Sequence, residues 1–290
     1  MTPTAPEPAG GTLYIVATPI GNLADVTLRA LEILRGVPLI AAEDTRLTRR
    51  LLDRHGIATR LTSYHARSGP SRAAALLAHL RGGDDLALVS DAGTPLVSDP
   101  GADLVAAWLD EAGRVVPIPG ASATLAAIVA SGVAGPRWAF EGFLPRSGRD
   151  RKERLAAIAA DTRGTVVYEA PGRLAATLRD LAAACGPDRV AAVARELTKI
   201  HEQVRRGTLG DLAVVAGTDD LPARGEIVIV VGMMASAAVD RRPTVDAVAA
   251  ARAQVAGLVA DGVARGDAAR RIAASSGIPR RQLYDAEDGS

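Results

Sequence analysis

The chain has 290 residues, 48% of them hydrophobic and only 3% aromatic, a composition typical of globular domains with sizeable cores, which excludes a disordered chain. Its 34 basic and 33 acidic residues leave a net charge of +1, so any affinity for a polyanion has to come from local clusters. The single cysteine, Cys185, excludes an internal disulfide framework and a cysteine-cluster metal site.

Apolar runs alternate with helical patterns between residues 12 and 120. Five runs are predicted as strands: residues 13–17, 38–42, 61–65, 86–90 and 114–118. Four helices are predicted between them: residues 25–35, 45–55, 71–81 and 100–112. Asp25 and Asp99 are expected to cap the first and last of these helices, with Pro100 in the first helical position. This repetition predicts a mostly parallel sheet with helices on both faces.

A second α/β half is predicted after the bridging helix 121–131. Its strands are residues 138–145, 165–170, 189–196, 201–207 and 226–232, and its helices are residues 172–184 and 209–216. Residues 146–154 are interpreted as a charged segment. Beyond residue 244 there are no strand runs, and three helices are predicted at residues 245–260, 267–275 and 280–286.

These patterns predict an α/β protein in two domains, residues 12–120 and 121–235, followed by a helical tail, residues 244–290. Residues 1–11 are polar and proline-rich without the features of a signal peptide, and they are predicted to be a disordered leader. No apolar run reaches membrane-spanning length, so neither a membrane partner nor a membrane location is expected. We expect a cytoplasmic protein.

The stretch SDAGTPLVSDPG at residues 90–101 follows a predicted strand and is glycine-rich and acidic. Gly93 and Gly101 allow close approach of the backbone to a ligand, and Asp91 can accept hydrogen bonds from hydroxyls or an amine, or face a cation. S-adenosylmethionine carries ribose hydroxyls, an ammonium group and a sulfonium group but no phosphate, so it fits such a loop. The structural alternative is a pair of Asx turns that closes a strand and caps a helix.

Other sequence signals exclude common ligand sites. Neither a GxGxxG nor a GxxxxGK[ST] pattern occurs, which removes the main support for a dinucleotide or P-loop site. None of the four histidines has metal-ligand spacing, and no metal is expected.

Seven motifs occur in order along the chain. They are ATPIGNLAD (17–25), AAEDTR (41–46), SDAGTPLVSDPG (90–101), PIPGASA (117–123), YEAPGR (168–173), RELTK (195–199) and GEIVIVV (225–231). Over residues 12–232 the chain thereby resembles the small-subunit ribosomal RNA methyltransferases of the tetrapyrrole methylase superfamily. The resemblance implies S-adenosylmethionine-dependent 2′-O-methylation of a cytidine in 16S ribosomal RNA, within the small ribosomal subunit, by a homodimer.

The resemblance also implies two α/β domains of the tetrapyrrole methylase type, with the cofactor in the cleft between them. The expected cofactor-binding residues of the first domain are Thr18, Pro19, Asp91, Ala92, Gly93, Thr94, Ser122 and Ala123. Those of the second domain are Tyr168, Gly225, Glu226 and Ile227.

Two motifs place acids beside bases at strand ends. EDTR supplies Glu43, Asp44 and Arg46, and RELTK supplies Arg195, Glu196 and Lys199. Methyl transfer to a ribose hydroxyl needs a positioned hydroxyl and a proton acceptor, which can be a carboxylate or a lysine whose pKa is lowered by burial. These six residues are therefore the catalytic candidates. Two structural alternatives remain open: Glu43 or Asp44 only caps the next helix, or Arg195 and Glu196 form a structural ion pair.

Three basic clusters, residues 46–54, 145–154 and 265–281, are candidates for binding RNA phosphates. The candidate residues are Arg49, Arg50, Arg146, Arg149, Arg151, Lys152, Arg270, Arg271, Arg280 and Arg281. The alternative for each cluster is a solvated face without a partner.

Two other functions remain to be separated from RNA methylation. One is a methylase of the same superfamily that acts on a tetrapyrrole ring, which would have no use for extended basic surfaces. The other is a non-catalytic RNA-binding factor in ribosome assembly, which would not need intact cofactor loops.

Overall fold

The computed structural model describes residues 10–234 and 245–284, without the side chains of Val245 and Asp246. Residues 1–9 of the expected leader and the end of the last predicted helix lie outside the described residues. The chain divides into two compact units, Met1–Met233 and Met234–Ser290.

The first sheet of the larger unit is parallel throughout, with the strand order β3-β2-β4-β1-β5. Its strands are β1 Thr12–Val16, β2 Leu39–Ala42, β3 Arg60–Ser63, β4 Leu86–Val89 and β5 Arg114–Ile118. Its helices are α1 Leu28–Gly36, α2 Thr45–Arg54, α3 Pro70–Arg81 and α4 Ala102–Asp110. Helices α1 and α2 pack on one face and α3 and α4 on the other, because successive residues of the buried strands point to opposite faces.

The second sheet is mixed, with the order β6-β7-β10-β8-β9, and β6–β7 is its only parallel pair among the described strands. Its strands are β6 Trp138–Phe143, β7 Gly164–Glu169, β8 Val190–Arg195, β9 Gln203–Thr208 and β10 Ile227–Val231. Its helices are α5 Ala123–Ser131, α6 Gly148–Ala160, α7 Leu174–Cys185 and α8 Leu209–Val215. Helices α6, α7 and α8 cover one face, and α5 packs against the other.

The smaller unit consists of α9 Val245–Ala260, α10 Arg265–Ser276 and α11 Arg280–Tyr284. Gly277 ends α10 in the left-handed conformation, which costs a glycine no steric strain. The unit has its own small core, to which α9, α10 and the segment after it contribute: Ala251, Val255, Ala268, Ala269, Ile278 and Leu283.

The α/β fold class and the helical C-terminal unit agree with the sequence prediction, but two predicted helix caps are wrong. Asp25 ends a short 3-10 turn, and α1 begins only at Leu28, where the Thr27 side chain accepts a hydrogen bond from the Ala30 N–H. Asp99 and Pro100 remain in the loop, and α4 begins at Ala102 after Gly101.

Gly101 explains why the loop continues to that point. Its φ is +122°, and a Cβ atom there would lie 2.6 Å from Leu88, so only glycine fits between the loop and β4.

The predicted charged segment 146–154 is in fact the start of a helix. Helix α6 begins at Gly148, and its buried apolar residues Leu155 and Ile158 lie near its C-terminal end. The charged first turns therefore conceal the helical pattern. Within residues 10–234 and 245–284, no helix is both long and apolar enough to cross a membrane.

Candidate functional site

A cavity of about 410 Å³ opens beyond the carboxyl end of β4 and extends to the second sheet. Ligand sites of parallel α/β sheets typically lie at this edge. The residues that line the cavity come from both halves of the larger unit: Glu43, Asp91, Ala92, Gly93, Thr94, Val97, Ser98, Asp99, Ser122, Ala123, Phe143, Tyr168, Glu169, Ala170, Pro171, Gly225, Glu226, Ile227 and Val228.

The loop after β4 is held in place by backbone hydrogen bonds to the end of β1. The Thr18 N–H donates to the Gly93 carbonyl oxygen at 2.8 Å, and the Gly93 N–H donates back to the Thr18 carbonyl oxygen at 3.0 Å. Gly93 has a φ of +78°, which an L-residue with a Cβ atom rarely adopts. The loop is therefore positioned against the sheet with its backbone toward the cavity.

The same loop contains two non-glycine residues in the left-handed region. Leu96 has a φ of +73° and Ser98 a φ of +70°, each at a cost of about 1–3 kcal/mol. Ser98 lines the cavity, and its hydroxyl lies close to Gly142 of β6. A Cβ atom on Gly142 would lie only 2.9 Å from the Ser98 Oγ. Strain of this kind persists where the surroundings fix the conformation, and it is concentrated at ligand sites.

Hydrogen bonds join the loop to the residues after β2. The Asp44 N–H donates to Oδ1 of Asp91 at 2.8 Å, and the Asp91 N–H donates to Oε2 of Glu43 at 3.4 Å. One oxygen of the Asp91 carboxylate is thereby committed to the protein, and the other accepts no hydrogen bond from the described residues. Among the described contacts, no arginine or lysine forms a salt bridge to Glu43, Asp91 or Asp99.

The environment raises the pKa of all three carboxyl groups. Burial raises the pKa of Glu43, and the negative charge of Asp91 raises it further, while the hydrogen bond from the Asp91 backbone and the charge of His65 lower it. Burial also raises the pKa of Asp91, against the hydrogen bond from Asp44, and of Asp99, against a hydrogen bond from Ser90. This excess of negative charge favours a cationic ligand.

Asp44 has the opposite environment. Its carboxylate accepts hydrogen bonds from the Arg46 side chain at 2.6 and 3.1 Å and from the Arg46 backbone N–H at 2.8 Å, and it caps α2. The side-chain hydrogen bond, followed by the backbone one, lowers the pKa of Asp44 to about 2. Both Asp44 and Arg46 therefore serve the structure of this turn, and neither lines the cavity.

On the second-sheet side of the cavity, Lys199 lies between the carboxylates of Glu196 and Glu226. Its Nζ donates to Oε1 of Glu196 at 3.0 Å and lies 3.2 Å from Oε2 of Glu226, which lines the cavity. Gly225 packs so closely on the Glu196 carboxylate that a Cβ atom there would overlap it. Glu196 and Thr198 have positive φ values of 51° and 67°.

The expectation of a lysine with a lowered pKa is wrong for Lys199. Burial alone would lower its pKa, but the hydrogen bond to Glu196 and the charge of Glu226 outweigh burial and raise it. The hydrogen bond from Lys199 in turn lowers the pKa of Glu196. Arg195 donates from Nε to Oε1 of Gln203 at 2.7 Å, so the alternative of an Arg195–Glu196 ion pair is also wrong.

Aromatic rings form part of the second-sheet side of the cavity. Tyr168 contacts Phe140 and Phe143 edge to face, with ring centroids 4.9 and 5.7 Å apart. The Tyr168 hydroxyl shares a 2.8 Å hydrogen bond with Oγ1 of Thr124. Phe143 is 56% exposed and lines the cavity, so its ring offers a flat apolar surface to an aromatic ligand group.

A buried polar network supports the wall at the end of β7. Oε2 of Glu169 accepts from Thr177, Oε1 lies 3.3 Å from Nε of Arg173, and the Glu169 side chain has no exposed surface. Arg151 donates to Oγ1 of Thr177, to Oδ2 of Asp180 and to the Pro145 carbonyl oxygen, each at 2.9 Å. Arg151 is only 8% exposed, so its expected contact with RNA is wrong.

Ten of the twelve residues expected to bind the cofactor line the cavity. Thr18 and Pro19 do not; both are buried, and Thr18 supports the loop from behind. Of the six catalytic candidates only Glu43 lines the cavity. Sequence reasoning missed eight lining residues: Val97, Ser98, Asp99, Phe143, Glu169, Ala170, Pro171 and Val228.

The remaining basic candidates are mostly exposed. Arg149 forms an exposed i,i+4 pair with Glu153, Arg270 pairs with Asp267, and the Arg280 guanidinium lies 5.9 Å from the ring centre of Tyr284. Arg49 is half-buried, and its guanidinium donates to the Thr59 carbonyl oxygen. The other five, Arg50, Arg146, Lys152, Arg271 and Arg281, are exposed. Within the described residues there is no group of three or more metal-ligating side chains.

Comparison with known proteins gives one consistent family. Residues 12–213 match the family of Tetrapyrrole (Corrin/Porphyrin) Methylases. A protein of Synechocystis sp. named ribosomal RNA small subunit methyltransferase I is 48% identical over 94% of this chain and 96% of its own length. A protein of the same name from Bacillus subtilis is 41% identical over 95% of this chain and 94% of its own length.

Solved structures share the fold at low sequence identity. A cobalt precorrin-4 methyltransferase of cobalamin biosynthesis has a TM-score of 0.59 and 17% identity, over 76% of this chain and 94% of its own. A uroporphyrin-III C-methyltransferase from Thermus thermophilus, complexed with S-adenyl homocysteine, has a TM-score of 0.54 and 19% identity, over 76% of this chain and 97% of its own.

Proposed function

Because the chain belongs to the tetrapyrrole (corrin/porphyrin) methylase family, we propose that it transfers a methyl group from S-adenosylmethionine to RNA. The acceptor is the ribose 2′-hydroxyl of a cytidine in small-subunit ribosomal RNA. The names and high coverage of the relatives from Synechocystis and Bacillus subtilis support the RNA substrate. The observation that carries the proposal is a cavity with three carboxyl groups of raised pKa beside the arginine-rich helix α2.

The cavity suits S-adenosylmethionine in size, charge and shape. Its volume of about 410 Å³ lies in the range of small-molecule sites. The carboxylates of Asp91 and Asp99 are not neutralised by a salt bridge within the described residues, which favours the ammonium and sulfonium charges. The glycine backbone at Gly93 and Gly225 leaves room for close contact, and Phe143 offers a surface for the adenine ring.

The bound cofactor supplies an already activated methyl group, so the protein has to position the hydroxyl and accept its proton. Glu43 is the best proton acceptor of the candidates. It lines the cavity, and its raised pKa gives it a greater affinity for protons than an ordinary carboxylate has. As the O–CH₃ bond forms, the bond between the methyl carbon and the sulfonium sulfur would break and leave a neutral thioether as the departing group. The hydroxyl proton would pass to Glu43 and from there to solvent.

The other candidates are less suited to the transfer of this proton. Asp44 has a pKa of about 2 and is occupied by Arg46. Lys199 is held protonated by Glu196 and Glu226, and the hydrogen bond from Lys199 lowers the pKa of Glu196. We assign Lys199 and Glu196 the role of holding the Gly225–Glu226 wall in place.

Arg46 and Arg50 lie on one side of α2, one turn apart, and both are exposed. They are placed to contact phosphates next to the target ribose. Exposed arginines of the α6 segment and of the smaller unit add cationic surface, as proposed from the sequence.

We further propose that the protein acts as a cytoplasmic homodimer on RNA within the small ribosomal subunit. Leu125 and Val129 lie one turn apart on α5 and are 54% and 82% exposed, an apolar pair that a second copy would cover. Light scattering of the wild type and of a Leu125→Glu, Val129→Glu variant tests the dimer. The wild-type protein should have twice the monomer mass and the variant the monomer mass.

Incubation with purified small ribosomal subunits and a methyl-labelled donor tests the reaction. The label should enter RNA, and a uroporphyrinogen-type substrate offered in its place should remain unlabelled. Label in the tetrapyrrole alone would favour the small-molecule methylase. Donor binding in calorimetry without label in either substrate would contradict both enzymatic proposals, and absent donor binding would favour a non-catalytic RNA-binding factor.

A further inference from the structure

The net positive charge of the chain is concentrated in residues 45–72. They contain seven arginines against one aspartate, a net charge of +6 in a chain whose total is +1. The segment comprises α2, the edge strand β3 and the turn before α3. Only Arg46 takes part in a salt bridge among the described residues, and the other six form a group that we name the basic edge: Arg49, Arg50, Arg54, Arg60, Arg67 and Arg72.

The basic edge surrounds one exposed strand. β3 is the outer strand of the first sheet, paired only with β2 among the described strands. The Arg49 guanidinium reaches the Thr59 carbonyl oxygen just before β3, at 3.4 Å. From the other face of the sheet, the Arg72 guanidinium donates to Oγ1 of Thr62 at 3.1 Å. Each of these two arginines uses one donor on a neutral oxygen and keeps the rest of its fork available.

The basic edge leads to the cavity. The register pairs Ala42 with Ser63, so β2 and β3 end together, and the turn after β3 lies beside Glu43. His65, in this turn, is close enough for its charge to act on Glu43.

The turn itself is rigidly built. The Tyr64 hydroxyl donates to Asp103 of α4 at 2.9 Å, and the Tyr64 ring is buried. The His65 N–H donates to Oγ of Ser68, and the Arg67 N–H donates to Nδ1 of His65. The Arg67 side chain is therefore presented to solvent from a preorganised turn.

We infer that the RNA backbone runs along β3 and over the turn 64–69 to reach Glu43, held by the phosphate contacts of Arg60, Arg67 and Arg72. This path rests on the proposed RNA substrate and adds to it a direction of approach and three contact residues. The basic edge is suited to phosphate groups, because guanidinium groups match the geometry of phosphate oxygens. Among the described residues of the segment, Asp53 is the only acid that could compete for these arginines outside the Asp44–Arg46 pair.

A different role for these charges is protection of an edge strand against pairing with another chain. That role requires charge on β3, but it does not require arginine on the turn beyond β3 or affinity for RNA. Removal of the arginines should therefore weaken RNA binding if they contact phosphates, and should leave RNA binding unchanged if they only protect the edge strand.

The test compares two triple variants. The basic-edge variant combines Arg60→Ala, Arg67→Ala and Arg72→Ala, and the matched control variant combines Arg29→Ala, Arg114→Ala and Arg179→Ala. The control arginines are exposed, and their side chains form no hydrogen bond or salt bridge among the described contacts. Both variants lose three positive charges. Affinity for transcribed small-subunit ribosomal RNA is measured from about 50 to 200 mM salt, together with calorimetry of the methyl donor.

We expect the basic-edge variant to bind RNA at least ten times more weakly and to lose about 2–3 units of log–log salt slope. The control variant should keep the wild-type slope, and donor binding should be unchanged in both. The single substitution Arg67→Glu leaves the hydrogen bond of Arg72 to Thr62 intact and should also weaken RNA binding.

Equal slopes in the wild type, the control and the basic-edge variant would overturn the inferred path while leaving RNA methylation in place. The same result would follow if the surface only protects the edge strand or binds an acidic protein. Failure of the wild-type protein to label RNA would instead overturn the proposed function, and this outcome is separate from the comparison of slopes.

Discussion

The backbone N–H of Asp44 donates a 2.8 Å hydrogen bond to Oδ1 of Asp91, and thereby joins the loop after β2 to the loop after β4. Through this contact one carboxylate both organises the site and faces the cavity. Its two roles can be separated by substitution, because an amide oxygen can still accept the Asp44 hydrogen bond but carries no charge.

Asp91→Ala should weaken binding of S-adenosylmethionine at least about tenfold, because one hydrogen bond to a charged group contributes roughly 1.5–3 kcal/mol. Asp91→Asn should keep the loop in place and lose only the charge-dependent part of the affinity. Titration calorimetry of both variants measures the difference. Wild-type affinity in a folded Asp91→Ala protein would remove Asp91 from the ligand site.

Glu43→Gln should reduce the single-turnover rate of methyl transfer by about 10²–10⁴ while RNA and donor binding persist, because the proton acceptor is lost. Asp44→Asn is the matched control. The low pKa of Asp44 makes it a poor proton acceptor, and the amide oxygen of an asparagine can still cap α2, so this variant should keep a rate close to that of the wild type. A Glu43→Gln enzyme as fast as wild type at saturating RNA would place the acceptor elsewhere.

The three carboxyl groups whose pKa values are raised make the binding of the methyl donor depend on pH. Glu43, Asp91 and Asp99 have ordinary pKa values of 4.5, 3.8 and 3.8, and each pKa is raised in the folded protein. They are neutral below their raised pKa values and ionised above them, so affinity for the cationic donor should increase as pH rises through these raised pKa values.

The same upward pKa shifts determine how the three carboxyl groups affect the free energy of unfolding as pH changes. The folded state binds these protons more tightly than the unfolded state, so the contribution of these groups to the free energy of unfolding falls as pH rises through the raised pKa values. Calorimetry of donor binding at a series of pH values measures this dependence, and Asp99→Asn is expected to flatten the curve. A flat wild-type curve would contradict the account.

Arg151→Met should destabilise the fold by about 1–3 kcal/mol, because it removes the buried donor to Thr177 and to the Pro145 carbonyl oxygen, whereas Asp180, whose side chain is 45% exposed, can be solvated. Arg149→Ala, two residues away, removes an exposed i,i+4 pair and should cost about 0.5 kcal/mol or less. Urea unfolding measures both. Equally small changes in the free energy of unfolding for both variants would contradict the buried, structural role of Arg151.

Much of the fold could be predicted from the sequence, because buried parallel strands consist of short apolar runs that turn residues separate. β4 is one such run, LALV, with all four residues buried. The start of α4 was less predictable. Whether Asp99 caps a helix or faces a cavity depends on the positive φ of Gly101 and on the packing of Gly101 against Leu88, which lies thirteen residues earlier in the chain.

The loops of the site could be predicted from their motifs, but the partners of single side chains could not. Arg151 and Arg149 occupy the same charged run, and only the fold of α6 turns one inward to Asp180 and the other to solvent. In the same way, Lys199 meets Glu196 of its own motif and Glu226 of a distant motif, and the two carboxylates together reverse the pKa shift that burial alone would give Lys199.

The central claim, methylation of a cytidine ribose, is tested most directly by mass spectrometry of nucleosides from small-subunit ribosomal RNA. RNA is taken from cells with the gene, without it, and with the Glu43→Gln variant in its place. We expect a cytidine whose methyl group stays on the sugar when the base is released, present with the wild-type gene and absent or strongly reduced in the other two. Identical nucleoside profiles in all three, or a methyl group that leaves with the base, would contradict it.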